Sequence, residues 1–98
     1  MSYDLFRQAI LGRKQITCYY QGRYCEVCPH ILGYKHGVPH VLVFQFGGDS
    51  SRGLPPSGQW RCMEPNDVSR AALRDGPWHT GLSHLKPQTC VDRIEVQV

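Results

Sequence analysis

From Gln15 onward the chain alternates with a period of two. Ile16, Cys18 and Tyr20 interleave with Thr17 and Tyr19, the mark of a half-buried strand. Gln21-Gly22-Arg23 is a tight turn, and a second strand runs on from Tyr24. Within that strand Glu26, Cys28 and His30 fall on one face, and Cys25, Val27 and Ile31 on the other. Pro29 has no N–H to give to a ladder, so it marks an edge or a bulge. Lys35-His36-Gly37 is the polar tip of a hairpin between the apolar runs 26–34 and 40–46. On the returning strand Leu42, Phe44 and Phe46 share a face opposite Val41, Val43 and Gln45. Apolar residues on both faces predict burial on both sides, as in a small closed barrel.

Before this region, Tyr3, Phe6, Ala9 and Ile10 recur at helical spacing. Ser2 reads as the N-cap, Asp4 favours the first turn, and Gly12 followed by Arg13-Lys14 reads as the stop. So short a helix needs a partner surface. After Phe46 the chain becomes a Gly/Ser/Pro loop, then re-enters a strand at Trp60-Arg61-Cys62-Met63. Pro65-Asn66-Asp67 is a turn, whereas 68–73 fits a short helix or a strand equally. Residues 78–88 are irregular, and the alternation from Cys90 to Val98 predicts a final strand. The expected fold is mainly β: a small SH3-like barrel of five to six antiparallel strands with an N-terminal α-helix. One domain spans 1–98, with a capping helix at 1–13 and a tail loop and closing strand at 76–98.

Composition narrows the setting. A chain of 98 residues with a net charge of +3 is a folded domain of one core. No apolar run approaches the roughly 18 residues of a membrane helix, and no signal architecture opens the chain, which predicts a cytoplasmic protein without a membrane partner. The five cysteines are then expected as thiols, buried or ligating, and not as a disulfide framework.

The run Val27-Cys28-Pro29, Leu32-Gly33-Tyr34, Gly37 and His40-Val41-Leu42-Val43-Phe44, preceded by Ile16-Thr17-Cys18-Tyr19-Tyr20, resembles the WYL domain. Trp60-Arg61-Cys62-Met63 with Asp67-Val68 is similar to that family's following strand. The resemblance covers about residues 10–68 by matched pattern. It implies an SH3-like (Sm-like) barrel that senses a ligand, often nucleic acid or a nucleotide, here as a stand-alone relative without a helix-turn-helix.

The candidate chemistry is that of binding. Gly47-Gly48-Asp49-Ser50-Ser51-Arg52-Gly53 offers backbone N–H groups, hydroxyls and a guanidinium that can form an anion nest. In this reading Arg52 grips a phosphate, Ser50 and Ser51 donate hydrogen bonds, Tyr34 or Trp60 stacks, and Arg61 and His30 lie nearby. The plainer reading is a loop that only turns the chain. It lacks the spacing of a nucleoside-triphosphate loop. Tyr19, Tyr20, Tyr24, Tyr34, Phe44, Trp60 and Trp78 mix with Arg23, Lys35, Arg52 and Arg61, a composition that suits single-stranded nucleic acid as readily as it fills a small core. The expected partner is an anionic ligand or single-stranded nucleic acid, and a strand-edge homodimer is compatible with it. The alternative is a zinc site from Cys25, Cys28, His79, His84 and Cys90, or from Cys28 and His30 joined by His79 or His84. Against it, free cysteine is commonly just buried. A thiol-dependent enzyme, pairing Cys28 with His30 or Cys90 with His79, is the weakest reading. No established catalytic motif matches, so a non-enzymatic protein is expected.

Overall fold

Two hairpin turns set the frame. Gln21 (φ 53°) and Gly22 (φ 77°) form one, and His36 (φ 50°) and Gly37 (φ 79°) the other. Two successive residues with positive φ match the right-handed twist of the strands they join. In the computed structural model, which describes residues 2–49, 54, 57–81 and 88–98, these turns link β1 (Gln15–Tyr20), β2 (Arg23–Lys35) and β3 (Val38–Gly48). β4 (Gln59–Met63) follows, then a 3₁₀ turn (Pro65–Asp67), β5 (Val68–Arg74) and β6 (Arg93–Gln97). Residues 68–74 are therefore a strand. The candidate site residues Ser50, Ser51, Arg52 and His84 lie outside the described residues.

The fold is mainly β, with one antiparallel sheet of six strands in the order β4-β3-β2-β1-β5 and β6 paired to β2. Met63 of β4 and Val68 of β5 meet in the same buried cluster as Ile16, Val27 and Val41, so the sheet curls around its core. No β4–β5 pairing closes it among the described residues. The last strand does lie against an early one, but it extends β2 beyond the end of β1 and leaves the seam open.

α1 (Ser2–Gly12) plugs this curl with Phe6, Ala9 and Ile10, all buried. Burying Phe6 contributes about 2–3 kcal/mol, and an isolated helix this short would not hold together without such packing. Its first end corrects the expected Ser2 cap, and its last end falls at Gly12 followed by Arg13-Lys14 as expected. The hydroxyl of Ser2 donates to the Val68 carbonyl (3.3 Å), so Ser2 ties the helix to β5 as its first residue. At the other end the left-handed residue is Arg13 (φ 51°), one past Gly12. Lys14 N–H donates to Ala9 (2.8 Å) and Arg13 N–H to Ile10 (3.4 Å), the paired bonds of a Schellman stop.

Two irregularities in the β2–β3 ladder decide which side chains face outward. Glu26 pairs Gly47 while Val27 pairs Gln45, which leaves Phe46 as an extra residue on β3. Pro29 pairs Val43 while Ile31 pairs Leu42, which leaves His30 as an extra residue on β2. The expected bulge is thus at Pro29–His30, and Pro29 is buried and not on an edge. The bulge also shifts parity: Leu32 enters the core, and Ile31 leaves the face expected for it beside Cys25 and Val27.

β6 reaches β2 only because Gly33 has no side chain. A Cβ there would overlap the Arg93 carbonyl oxygen and meet the Val91 side chain at 2.8 Å. Gly33→Ala should therefore destabilise the fold by about 2 kcal/mol. Arg13→Gly, which relieves a left-handed non-glycine residue, should stabilise it by about 0.5–1 kcal/mol. Urea unfolding midpoints of the two variants should move in opposite directions from that of the parent chain.

Candidate functional site

The outward face of β2, β3 and β4 carries His30, Phe44 and Trp60, with Phe44 and Trp60 paired across the two strands. Segment 76–81 lies over this face. The ring of His30 meets Trp60 edge-on (4.7 Å between centroids) and Trp78 of the segment at 4.9 Å. Phe44 meets Trp60 edge-on at 5.2 Å, and Gly81 approaches both so closely that a Cβ would sit 2.6 Å from Phe44 and 2.9 Å from Trp60. His79 stacks on Phe46 at 4.0 Å, while its backbone N–H donates to the Cys28 sulfur at 3.3 Å.

His30 is fixed in this cluster as a neutral ring. Its Nδ1 lies 2.7 Å from the Cys28 carbonyl, which can only accept, so Nδ1 carries the proton. Nε2 then accepts from the Thr80 hydroxyl at 3.2 Å. Burial holds its pKa below the ordinary 6.5, with a smaller opposing push from the bond to Cys28. It is a satisfied interior histidine whose ring bonds tie 76–81 to β2.

A second constellation lies on the outward face of β1, β2 and β5. Tyr19 and Tyr24 are cross-strand partners with rings 5.6 Å apart, and the Arg70 guanidinium lies 5.6 Å from the Tyr19 ring. Arg70 stands where β5 carries one residue too many opposite Cys18, in the left-handed conformation (φ 52°) that glycine usually takes at such a bulge. From Tyr24 the surface continues: its hydroxyl donates to Glu26 (3.2 Å), and Arg74 pairs Glu26 (2.7 Å) and lies 5.9 Å from the Phe46 ring. Burial and the Glu26 carboxylate push the Tyr24 hydroxyl upward, so it stays a neutral donor. Tyr19 and Arg70 are exposed, and the result is a band of aromatic rings faced by guanidinium groups.

The residues singled out from the sequence are divided among these surfaces. Trp60 and His30 do come together. Arg61 faces inward instead, paired with Val43, donating to buried Gln45 (2.9 Å) and lying 5.9 Å from Tyr20. Tyr34 packs between Tyr3 (5.7 Å) and Arg93 (5.9 Å), near α1 and β6. The contribution of Arg70 and Arg74 is hidden in the sequence, because 68–73 fits a helix or a strand equally. The seven-residue spacing between the Pro65-Asn66-Asp67 turn and Asp75-Gly76-Pro77, short for a helix, is the signal that could have shown it.

The cysteines separate as well. Cys25 is in the core beside Cys18, whereas Cys28 is buried under 76–81 on the opposite face. Cys90 is bonded to Cys62, with Cα atoms 5.5 Å apart, which corrects the expectation of five thiols and removes Cys90 as a ligand or nucleophile. Twenty-eight positions separate the two in sequence, and only the approach of the tail to β4 shows that they meet. Among the described residues no three His, Cys, Asp or Glu side chains converge to hold a metal ion. Burial pushes the Cys18 thiol up to about 12, helped by neighbouring Cys25, and it also raises Cys25 and Cys28. An activated nucleophile requires the reverse shift, and His30 addresses the Cys28 carbonyl, not its sulfur. No helix among the described residues is long and apolar enough to cross a membrane.

Comparison with family models, curated proteins and solved structures finds no match to this chain.

The neutral His30 gives stability a pH dependence of definite sign. Its folded pKa lies below the unfolded one, so the unfolded chain takes up the proton first as pH falls below 6.5. Stability from this group is complete above 6.5, declines below it, and levels off beneath the folded pKa. His30→Gln should remove that part of the decline in urea midpoints measured between about pH 7.5 and about pH 5. An identical pH dependence in the variant would contradict the assignment.

Proposed function

We propose that the chain is a non-enzymatic binding module for single-stranded nucleic acid or a related nucleotide, held on the outward Tyr19–Tyr24–Arg70 face. The observation that carries this reading is the left-handed Arg70. A non-glycine residue in that conformation costs about 1 kcal/mol or more, and here it sets a guanidinium over an exposed tyrosine ring. Exposed rings offer stacking surfaces that every base can use, and a nearby guanidinium can meet the phosphate that follows. Arg74 and Phe46 extend the same surface, although Arg74 is already neutralised by Glu26 and contributes mainly shape. The strand pattern that resembles the WYL domain points to the same ligand class. The setting proposed is cytoplasmic, where Cys18, Cys25 and Cys28 stay thiols and the Cys62–Cys90 bond is the redox-responsive exception.

The test is a fluorescence-anisotropy titration with a short labelled single-stranded oligonucleotide at several salt concentrations. Tyr19→Ala and Arg70→Ala should each weaken binding by roughly tenfold, the scale of one stacked base. Arg70→Ala should in addition flatten the salt dependence by about one phosphate contact. Wild-type affinity in both variants, or no binding by the parent chain, would overturn the proposal.

A further inference from the structure

The geometry points to a second property, independent of the ligand: the Cys62–Cys90 disulfide is a redox latch that holds segment 76–81 over the outward face of β2, β3 and β4. Cys62 is exposed on β4, while Cys90 is buried at the start of the segment that leads into β6. The bond thus fastens the tail to β4 downstream of 76–81, and one of its sulfurs belongs to a residue that a soluble reductant can reach. The remaining hold on 76–81 is light. Pro77 accepts from Gln15 (2.6 Å), His79 N–H donates to Cys28, Thr80 donates to His30, and two rings pack on the face. β6, by contrast, has its own ladder. It pairs β2 from Ile31 to Tyr34, flanked by Asp92 N–H to the Tyr34 carbonyl (3.0 Å) and Val98 N–H to the His30 carbonyl (2.9 Å). The buried cluster beneath α1 does not include the disulfide. Local opening therefore falls on 76–81 before β6, whose ladder holds it in place.

The step balances with a dithiol reductant. A thiolate of the reductant attacks the Cys62 sulfur, the S–S bond breaks, and Cys90 leaves as a thiolate that takes up a proton. The second thiol of the reductant then displaces Cys62, so two cysteine thiols form as the reductant becomes a disulfide. What 76–81 uncovers on release is Cys28, whose sulfur now accepts the His79 N–H and is fully buried. Cys28 is thus a built-in reporter, and Cys18 and Cys25 in the core are its internal controls.

The experiment is alkylation by N-ethylmaleimide of the oxidised protein and of the protein reduced with dithiothreitol and freed of it, read residue by residue by mass spectrometry. In the reduced protein Cys28 should react at least roughly tenfold faster than in the oxidised protein, with Cys18 and Cys25 slow in both. Cys90→Ser should reproduce the reduced pattern without reductant. An unchanged Cys28 rate would overturn the latch. So would Cys18 and Cys25 becoming reactive together with Cys28, or a Cys90→Ser chain that does not fold, since either makes the bond a staple of the whole fold.

Discussion

β2 is the strand on which the rest depends. Its thirteen residues must satisfy backbone groups along both edges and cover side chains on both faces. β3 takes one edge throughout, and the other is shared by β1 near Arg23–Val27 and by β6 near Ile31–Tyr34. On the inner face Cys25, Val27 and Leu32 join the core beneath α1. On the outer face Cys28 and His30 would be left open to water, and segment 76–81 covers them. The tail is therefore required by β2, because no other described segment supplies partners to both its late edge and its outer face.

Bulges convert this burial requirement into surfaces. The extra His30 turns its ring toward Trp60 and Trp78, and the extra Phe46 turns toward His79 and Arg74. Another bulge, at Arg70, lies on an edge strand where the ladder is free to twist. The first two serve a cover that the chain itself provides. The one at Arg70 presents a guanidinium and a tyrosine ring that stay exposed, with no segment of the described chain over them.

Much of the sheet was legible because period-two patterning is local. The faces of β1 and β3, the two glycine turns and the strand at 59–63 needed only their own residues and immediate neighbours. Pro29 announced its bulge by lacking an N–H. Its effect on parity, with Leu32 in and Ile31 out, depends on which strand absorbs the extra residue, and that is decided by pairing with β3. Trp60 and Arg61 do not share a site, because neighbours along a strand point to opposite faces. Cys62–Cys90 and the covering of Cys28 by His79 are long-range contacts, beyond any spacing rule. The strand at 68–74 was ambiguous because only Val68 among its residues is buried, so it carries little alternation to read.

Amide and side-chain chemical-shift mapping during titration with a short single-stranded oligonucleotide tests the central claim most directly. The account predicts shifts concentrated on Tyr19, Tyr24 and Arg70 with their strand neighbours, diminishing as salt is added. Shifts confined to other surfaces, or a spectrum indifferent to the oligonucleotide, would contradict it.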